Sequence, residues 1–216
     1  TEQVKATKLH PIASDLAAYQ EGLGDGSTTF RGLVTGFSEV DNLISGLDRF
    51  ILLAGRSGAG KTTLASQLAL GVASHTPVLF YSLEMGKSEI ITMFIQALAK
   101  GLYRNDIELR GNDPSLESDK KAKLAETIKA LEPLAKNIYI RDATNGIPRI
   151  ADPKDANSIL NTVESLKAKH NAERVLVVID SVQDVVPMAS NQVQAETQTV
   201  QELTEVQQKT GATILV

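Results

Sequence analysis

A mostly parallel, twisted α/β sheet with helices on both faces is the fold class that the sequence predicts, and three observations predict it. Short continuous apolar runs, among them Phe50-Ile51-Leu52-Leu53-Ala54, PVLFYS from Pro77 to Ser82 and VLVVID from Val175 to Asp180, have the character of strands covered on both faces. The segments between them carry apolar residues at helical spacing. Strand and helix signals alternate along the chain with no internal repeat, as a series of parallel strands joined by crossover helices requires.

The elements follow in order. Residues 1–20 place Ile12, Leu16 and Tyr19 on one helical stripe, and the glycine-rich stretch Glu21-Gly22-Leu23-Gly24-Asp25-Gly26-Ser27 follows. A linker region over residues 1–31, a short amphipathic helix and then a flexible segment, is therefore expected ahead of one main domain over 32–216. That helix has too little core of its own and should dock on its own subunit or on a neighbour. Within GLVTGFSEVDNLISGLD, residues 32–48, Ser38 is the expected N-cap of a short helix carrying Val40, Leu43 and Ile44, and Gly46 the expected stop. The first strand then leads into a helix running to about Ser74.

The strand from Pro77 to Ser82 ends in Ser82-Leu83-Glu84-Met85, and a helix over Lys87 to Lys100 is expected to bury Ile90, Ile91, Phe94, Ile95 and Leu98. From Tyr103 to Pro133 the chain turns polar. Asn112-Asp113-Pro114 marks a turn, and Asp119 to Leu131 reads as an exposed helix with a solvated lysine run. Asn137 to Arg141 is a strand, Thr144 to Asp155 an irregular loop, and Ala156 to His170 a helix with Ile159, Leu160, Val163 and Leu166 inward. After the strand ending at Asp180, a Gln-rich helix over Asn191 to Lys209 should turn Val193, Val200, Leu203 and Val206 inward, and Ala212 to Val216 opens a last strand.

The composition is that of an ordinary globular protein: 216 residues, 42% apolar and 22% charged, long enough to bury a sizeable core. A net charge of −4 gives no global basic field for nucleic acid or an anionic membrane, so any such contact has to be local. Cysteine is absent, which excludes disulfides and thiolate zinc sites, and the three histidines, His10, His75 and His170, are scattered. No apolar run approaches the roughly 18–20 residues of a membrane helix, and no signal peptide is visible. A cytoplasmic protein without membrane contact is expected.

The most informative stretch joins the first strand to its helix. Gly55 is followed by four residues and then Gly60-Lys61-Thr62, the G-x-x-x-x-G-K-[ST] pattern in its proper strand-to-helix setting. Glycines let the backbone curl and bring several N–H groups onto phosphate oxygens, and the helix that starts near Gly60 aims its positive end at the anion. The expected nucleotide-binding residues are Gly55, Arg56, Ser57, Gly58, Ala59, Gly60, Lys61, Thr62 and Thr63. Lys61 would reach the β- and γ-phosphates and assist catalysis, and the Thr62 hydroxyl would ligate Mg²⁺. The plainer alternative is a glycine-rich turn that happens to precede a helix.

Two acids stand where such a site needs them. Asp180 ends an apolar strand and could hold Mg²⁺ opposite Thr62, although strands often end in an acid without any function. Glu84 sits just beyond another strand, where it could orient or deprotonate an attacking water; otherwise it is an acid at a helix start.

With these pieces in place, the chain resembles the ATPase domain of DnaB-type replicative helicases, within the RecA-like P-loop superfamily. The residues that carry the resemblance are Thr35-Gly36-Phe37 with Val40-Asp41 and Gly46-Leu47, Arg56 inside the loop, Ser82-Leu83-Glu84-Met85, Leu109-Arg110-Gly111, and Ile179-Asp180 with Gln183. The SLEM element is the most specific of them, and clock-protein and repair ATPases of the KaiC and RadA type look less similar there. The resemblance covers roughly residues 10–216. It implies a RecA-like fold, ATP with Mg²⁺, Glu84 as catalytic base, Gln183 as a candidate sensor, and a homo-oligomeric, hexameric ring with nucleotide between subunits. It also implies single-stranded DNA as a partner and an N-terminal helix docked on the adjacent subunit. The family's primase-binding domain has no counterpart in this sequence. Val216 falls before the family's arginine finger, so a C-terminally truncated domain that completes its site from a neighbour is expected. No Lys or Arg occurs between Arg174 and Lys209, which favours a rival reading, a regulatory or assembly ATPase that binds protein and not DNA. A small-molecule kinase fits less well, because the arginines are dispersed.

Overall fold

The computed structural model describes residues 12, 16, 30–108, 116–185 and 192–216. The expected N-terminal helix and glycine-rich segment fall outside the described residues except for Ile12 and Leu16, which are 78% and 49% exposed. Leu109-Arg110-Gly111, the Asn112–Pro114 turn and Asn191 also lie outside them.

The fold is a five-stranded, wholly parallel sheet in the order β1-β5-β4-β2-β3. Its strands are β1 (Phe50–Ile51), β2 (Val78–Ser82), β3 (Ile138–Asp142), β4 (Leu176–Asp180) and β5 (Thr213–Leu215). The helices are α1 (Ser38–Ile44), α2 (Lys61–Ala73), α3 (Lys87–Leu98), α4 (Arg104–Glu108), α5 (Ser118–Ala135), α6 (Ile159–His170) and α7 (Gln192–Thr210). Because side chains alternate across a strand, each central strand feeds two cores. Val78, Phe80, Leu176, Val178 and Leu215 pack with α2, α3 and α5 on one face. Leu79, Tyr81, Val177, Ile179 and Ile214 pack with α6 and α7 on the other. The predicted fold class holds, and the unbroken apolar runs in β2 and β4 follow from this double cover.

The differences from the sequence reading are local and have physical causes. Ser38 is the first residue of α1 and not its cap; the preceding loop is fixed from inside the helix by Asp41, which is 2% exposed. Its carboxylate accepts the Thr35 and Gly36 amides at 2.9 and 3.0 Å and the Thr35 hydroxyl at 2.8 Å. The left-handed residues that end α1 are Ser45 together with Gly46, while Leu43 and Ile44 face outward. In α3, Ile91 and Leu98 lie beside the buried stripe of Ile90, Phe94 and Ile95 and stay partly exposed, since one helix face cannot hold all five.

Helix α5 is longer than expected, takes Pro133 into its last turn, and buries Leu124, Thr127 and Leu131. The short α4 was not signalled by the sequence. In α7 the inward residues are Ala195, Thr199, Leu203, Val206 and Thr210, while Val193 and Val200 are exposed. The buried threonines return their hydroxyls to the Ala195 and Val206 carbonyls at 3.0 and 2.7 Å, which lets polar residues occupy a core face.

Candidate functional site

The C-terminal ends of parallel strands share one edge of the sheet, and in open α/β sheets the ligand crevice forms there. A cavity of about 790 Å³ lies along that edge in this chain. Its walls bring together Gly55, Ser57, Gly58, Gly60, Lys61, Thr62 and Thr63 after β1, Glu84 after β2, and Asp180 and Gln183 after β4. Arg56 and Ala59 are exposed on the same loop and do not line it.

The loop is shaped by two glycines with different requirements from the third. Gly58 and Gly60 have φ of 74° and 91°, in the left-handed region, and a Cβ on either would meet nothing within 4 Å. Glycine is needed there for backbone conformation and not for room. A Cβ on Gly55 would reach only ordinary contact, 3.5 Å from the Ala59 Cβ. Gly60 is the N-cap of α2 and offers no side-chain cap, so the first-turn amides of the helix are left for another acceptor. Lys61 is half-buried, and its Nζ donates to the carbonyls of Gly55 at 3.2 Å and Arg56 at 3.4 Å, folding the ammonium over the loop.

The two acids meet across adjacent strands. Ser82 and Asp180 are in register, and the Leu83 amide donates to the Asp180 carbonyl at 3.0 Å. Glu84 stands exposed just past this junction. Asp180 is half-buried, and its Oδ2 is buried without a hydrogen-bond partner. An orphaned carboxylate oxygen is costly to bury, and a hard divalent cation suits it, with the Thr62 hydroxyl in the same cavity as a second oxygen ligand. Among the described residues no group of three or more His, Cys, Asp or Glu could hold a metal. A Mg²⁺ ion here would take its other ligands from water and phosphate, which is how that ion is usually held.

Met85 and Met93 also line the cavity, and sequence reasoning did not single them out as site residues. Met93 carries no local signal: it arrives because α3 packs on α2, where the Ser66 hydroxyl lies 3.9 Å from its sulfur.

Comparison with known proteins agrees with this architecture. The family model described as the DnaB-like helicase C terminal domain matches residues 32–212. The replicative DNA helicase DnaB of Haemophilus influenzae is 32% identical over 121 residues, which is 54% of this chain and 25% of that protein. A solved structure of a DnaB-like replicative helicase, described with its interactions with primase, superposes with a TM-score of 0.79 at 25% identity, over 96% of this chain and 48% of that one. A second solved structure, of an isolated ATPase domain, gives a TM-score of 0.77 at 25% identity, over 96% of this chain and 70% of that one. The chain thus spans a quarter of the curated relative and about half of the first of these structures. With a match that runs through most of its length, and with the fold to accompany it, the chain belongs to the family of DnaB-like helicase C-terminal domains.

Proposed function

We propose that residues 32–216 form an ATP-hydrolysing motor domain that works within a ring of identical subunits to translocate on single-stranded DNA. The observation that carries the reading is the cavity shared by the loop at 55–63, Glu84, Asp180 and Gln183 in a chain of this family. Loop amides and Lys61 would hold the phosphates and stabilise the transferring phosphoryl group. Thr62 and Asp180 would hold Mg²⁺, which when bound neutralises charge on the phosphate oxygens. Glu84 would orient and deprotonate the attacking water, with Gln183 as sensor in the same cavity. Arg56, on the outer side of the loop, would contact the nucleotide from there. In the same reading residues 1–31 are the linker to a neighbouring subunit, and the protein is cytoplasmic; no helix among the described residues is long and apolar enough to cross a membrane.

The stretch from 175 to 208, free of Lys and Arg, favours a second reading, an assembly ATPase without DNA. ATP turnover measured with and without single-stranded DNA across a salt series separates them. The helicase reading expects turnover that DNA stimulates and that Lys61→Ala abolishes. Turnover retained in Lys61→Ala refutes the site, and no DNA binding at low salt favours the assembly ATPase.

A further inference from the structure

We infer that Asp142, at the end of the outer strand β3, is a positioning residue for Glu84: it ties the start of α3 to the sheet and so fixes the turn on which Glu84 stands. This rests on the assignment of Glu84 to the attacking water. Among the described residues Glu84 has no hydrogen bond or ion pair, so its placement is set by the backbone of the turn 83–86 alone. Four bonds hold that turn. The Leu83 amide donates to the Asp180 carbonyl at 3.0 Å. The wholly buried Ser82 hydroxyl donates to the Met85 carbonyl at 2.7 Å. The Gly86 amide donates to Glu89 Oε2 at 3.0 Å. The Lys87 amide donates to Asp142 Oδ2, also at 3.0 Å, from 55 positions away in sequence.

Asp142 is itself clamped. Its Oδ1 accepts the Thr144 amide at 3.1 Å and the Thr144 hydroxyl at 2.5 Å, and its own amide donates to Asn145 Oδ1 at 3.1 Å. Ser82 lies in register with Asp180 on one side and Asp142 on the other, so the turn is stretched between two acids on flanking strands. Starting α3 does not require Asp142, because Glu89 already closes a capping box on Gly86. What Asp142 adds is a fixed distance between the helix start and the sheet. The loop at 55–63, which would bind the nucleotide, is untouched by it.

The test is steady-state ATP turnover of the intact protein carrying Asp142→Ala, Asp142→Asn, Thr144→Val or Glu84→Gln. Backbone amide exchange over 84–87 is followed in parallel in the nucleotide-free protein. Misplacing a catalytic group by a fraction of its reach costs roughly 10- to 100-fold in kcat, and that loss is expected of Asp142→Ala with KM for ATP within about threefold of wild type. Asp142→Asn keeps an acceptor for the Lys87 amide and should return kcat to within about threefold of wild type, with Thr144→Val between the two. Exchange over 84–87 should quicken in Asp142→Ala and return toward normal in Asp142→Asn. Wild-type kcat in Asp142→Ala or Thr144→Val, an effect on KM alone, or an Asn variant as impaired as the Ala variant would overturn the inference. Turnover that survives Glu84→Gln, or a wild-type protein without turnover, would instead remove the assignment of Glu84 on which it stands.

Discussion

Gly71 offers a test in which two well-understood effects oppose each other. It lies inside α2, where Gly→Ala ordinarily stabilises by about 1 kcal/mol through helix propensity. A Cβ at this position, however, would sit 1.6 Å from the Thr35 carbonyl oxygen and 2.6 Å from its carbon. That is about 2 Å short of ordinary van der Waals separation, and the obstacle is backbone, which cannot rotate aside. Thr35 is also not free to retreat: it is 1% exposed, and its amide and hydroxyl donate to the buried Asp41 carboxylate at 2.9 and 2.8 Å. Relieving the overlap costs about 1–3 kcal/mol in overpacking, and loosening the charge-assisted bonds to Asp41 about 1.5–3 more. Against a propensity gain of about 1 kcal/mol, Gly71→Ala should destabilise the domain by about 2–5 kcal/mol. In urea, followed by circular dichroism, the midpoint should fall by about 1–2 M at an m-value near 2–3 kcal/mol/M. An unchanged or higher midpoint would show that the close approach of α2 to the segment 33–36 is not a constraint.

Gly60→Ala should behave differently, since its Cβ would meet nothing and only the φ of 91° resists. A stability loss of about 1–2 kcal/mol is expected, together with weaker nucleotide binding as the first-turn amides reorient; a variant that melts and binds like wild type would argue against that loop geometry. A third expectation concerns pH. Glu89 is held below the ordinary carboxylate range by the Arg104 guanidinium and then the Gly86 amide. Asp142 is held low by the Thr144 hydroxyl and then the Lys87 amide, and Asp152 by the Lys154 amide and then Arg149. A depressed folded value means that each contributes stability present above the unfolded value, near about 4, and lost as pH falls through the folded one. Tm should therefore be insensitive to these three groups from pH 7 to about 5 and drop below about 4, with a smaller drop in Asp142→Asn; an equal drop in that variant would remove Asp142 from the account.

Much of this was legible in the residues because the signals are local. A strand covered on both faces has to be apolar throughout, so VLFYS and LVVID announce themselves, and so does the parallel α/β class. The loop at 55–62 is legible for the same reason: its glycines, lysine and threonine act through spacing along one short piece of backbone. Helix faces were less legible where burial depended on what packs opposite. The inward side of α7 is built partly from Ala195 and Thr199, which hydropathy does not flag, while Val193 and Val200 face outward.

Consecutive residues were thus enough to establish the fold class, the phosphate-type loop and the two acids at strand ends. They could not reveal that β5 lies between β1 and β4, or that Glu84 and Asp180 meet across β2 and β4; those facts emerged with the folded chain. The reach of Asp142 to the first amide of α3 is of the same kind. Strand order and long-range hydrogen bonds are settled by how the two cores close on the sheet, a balance of packing over the whole chain that no single stretch of residues carries.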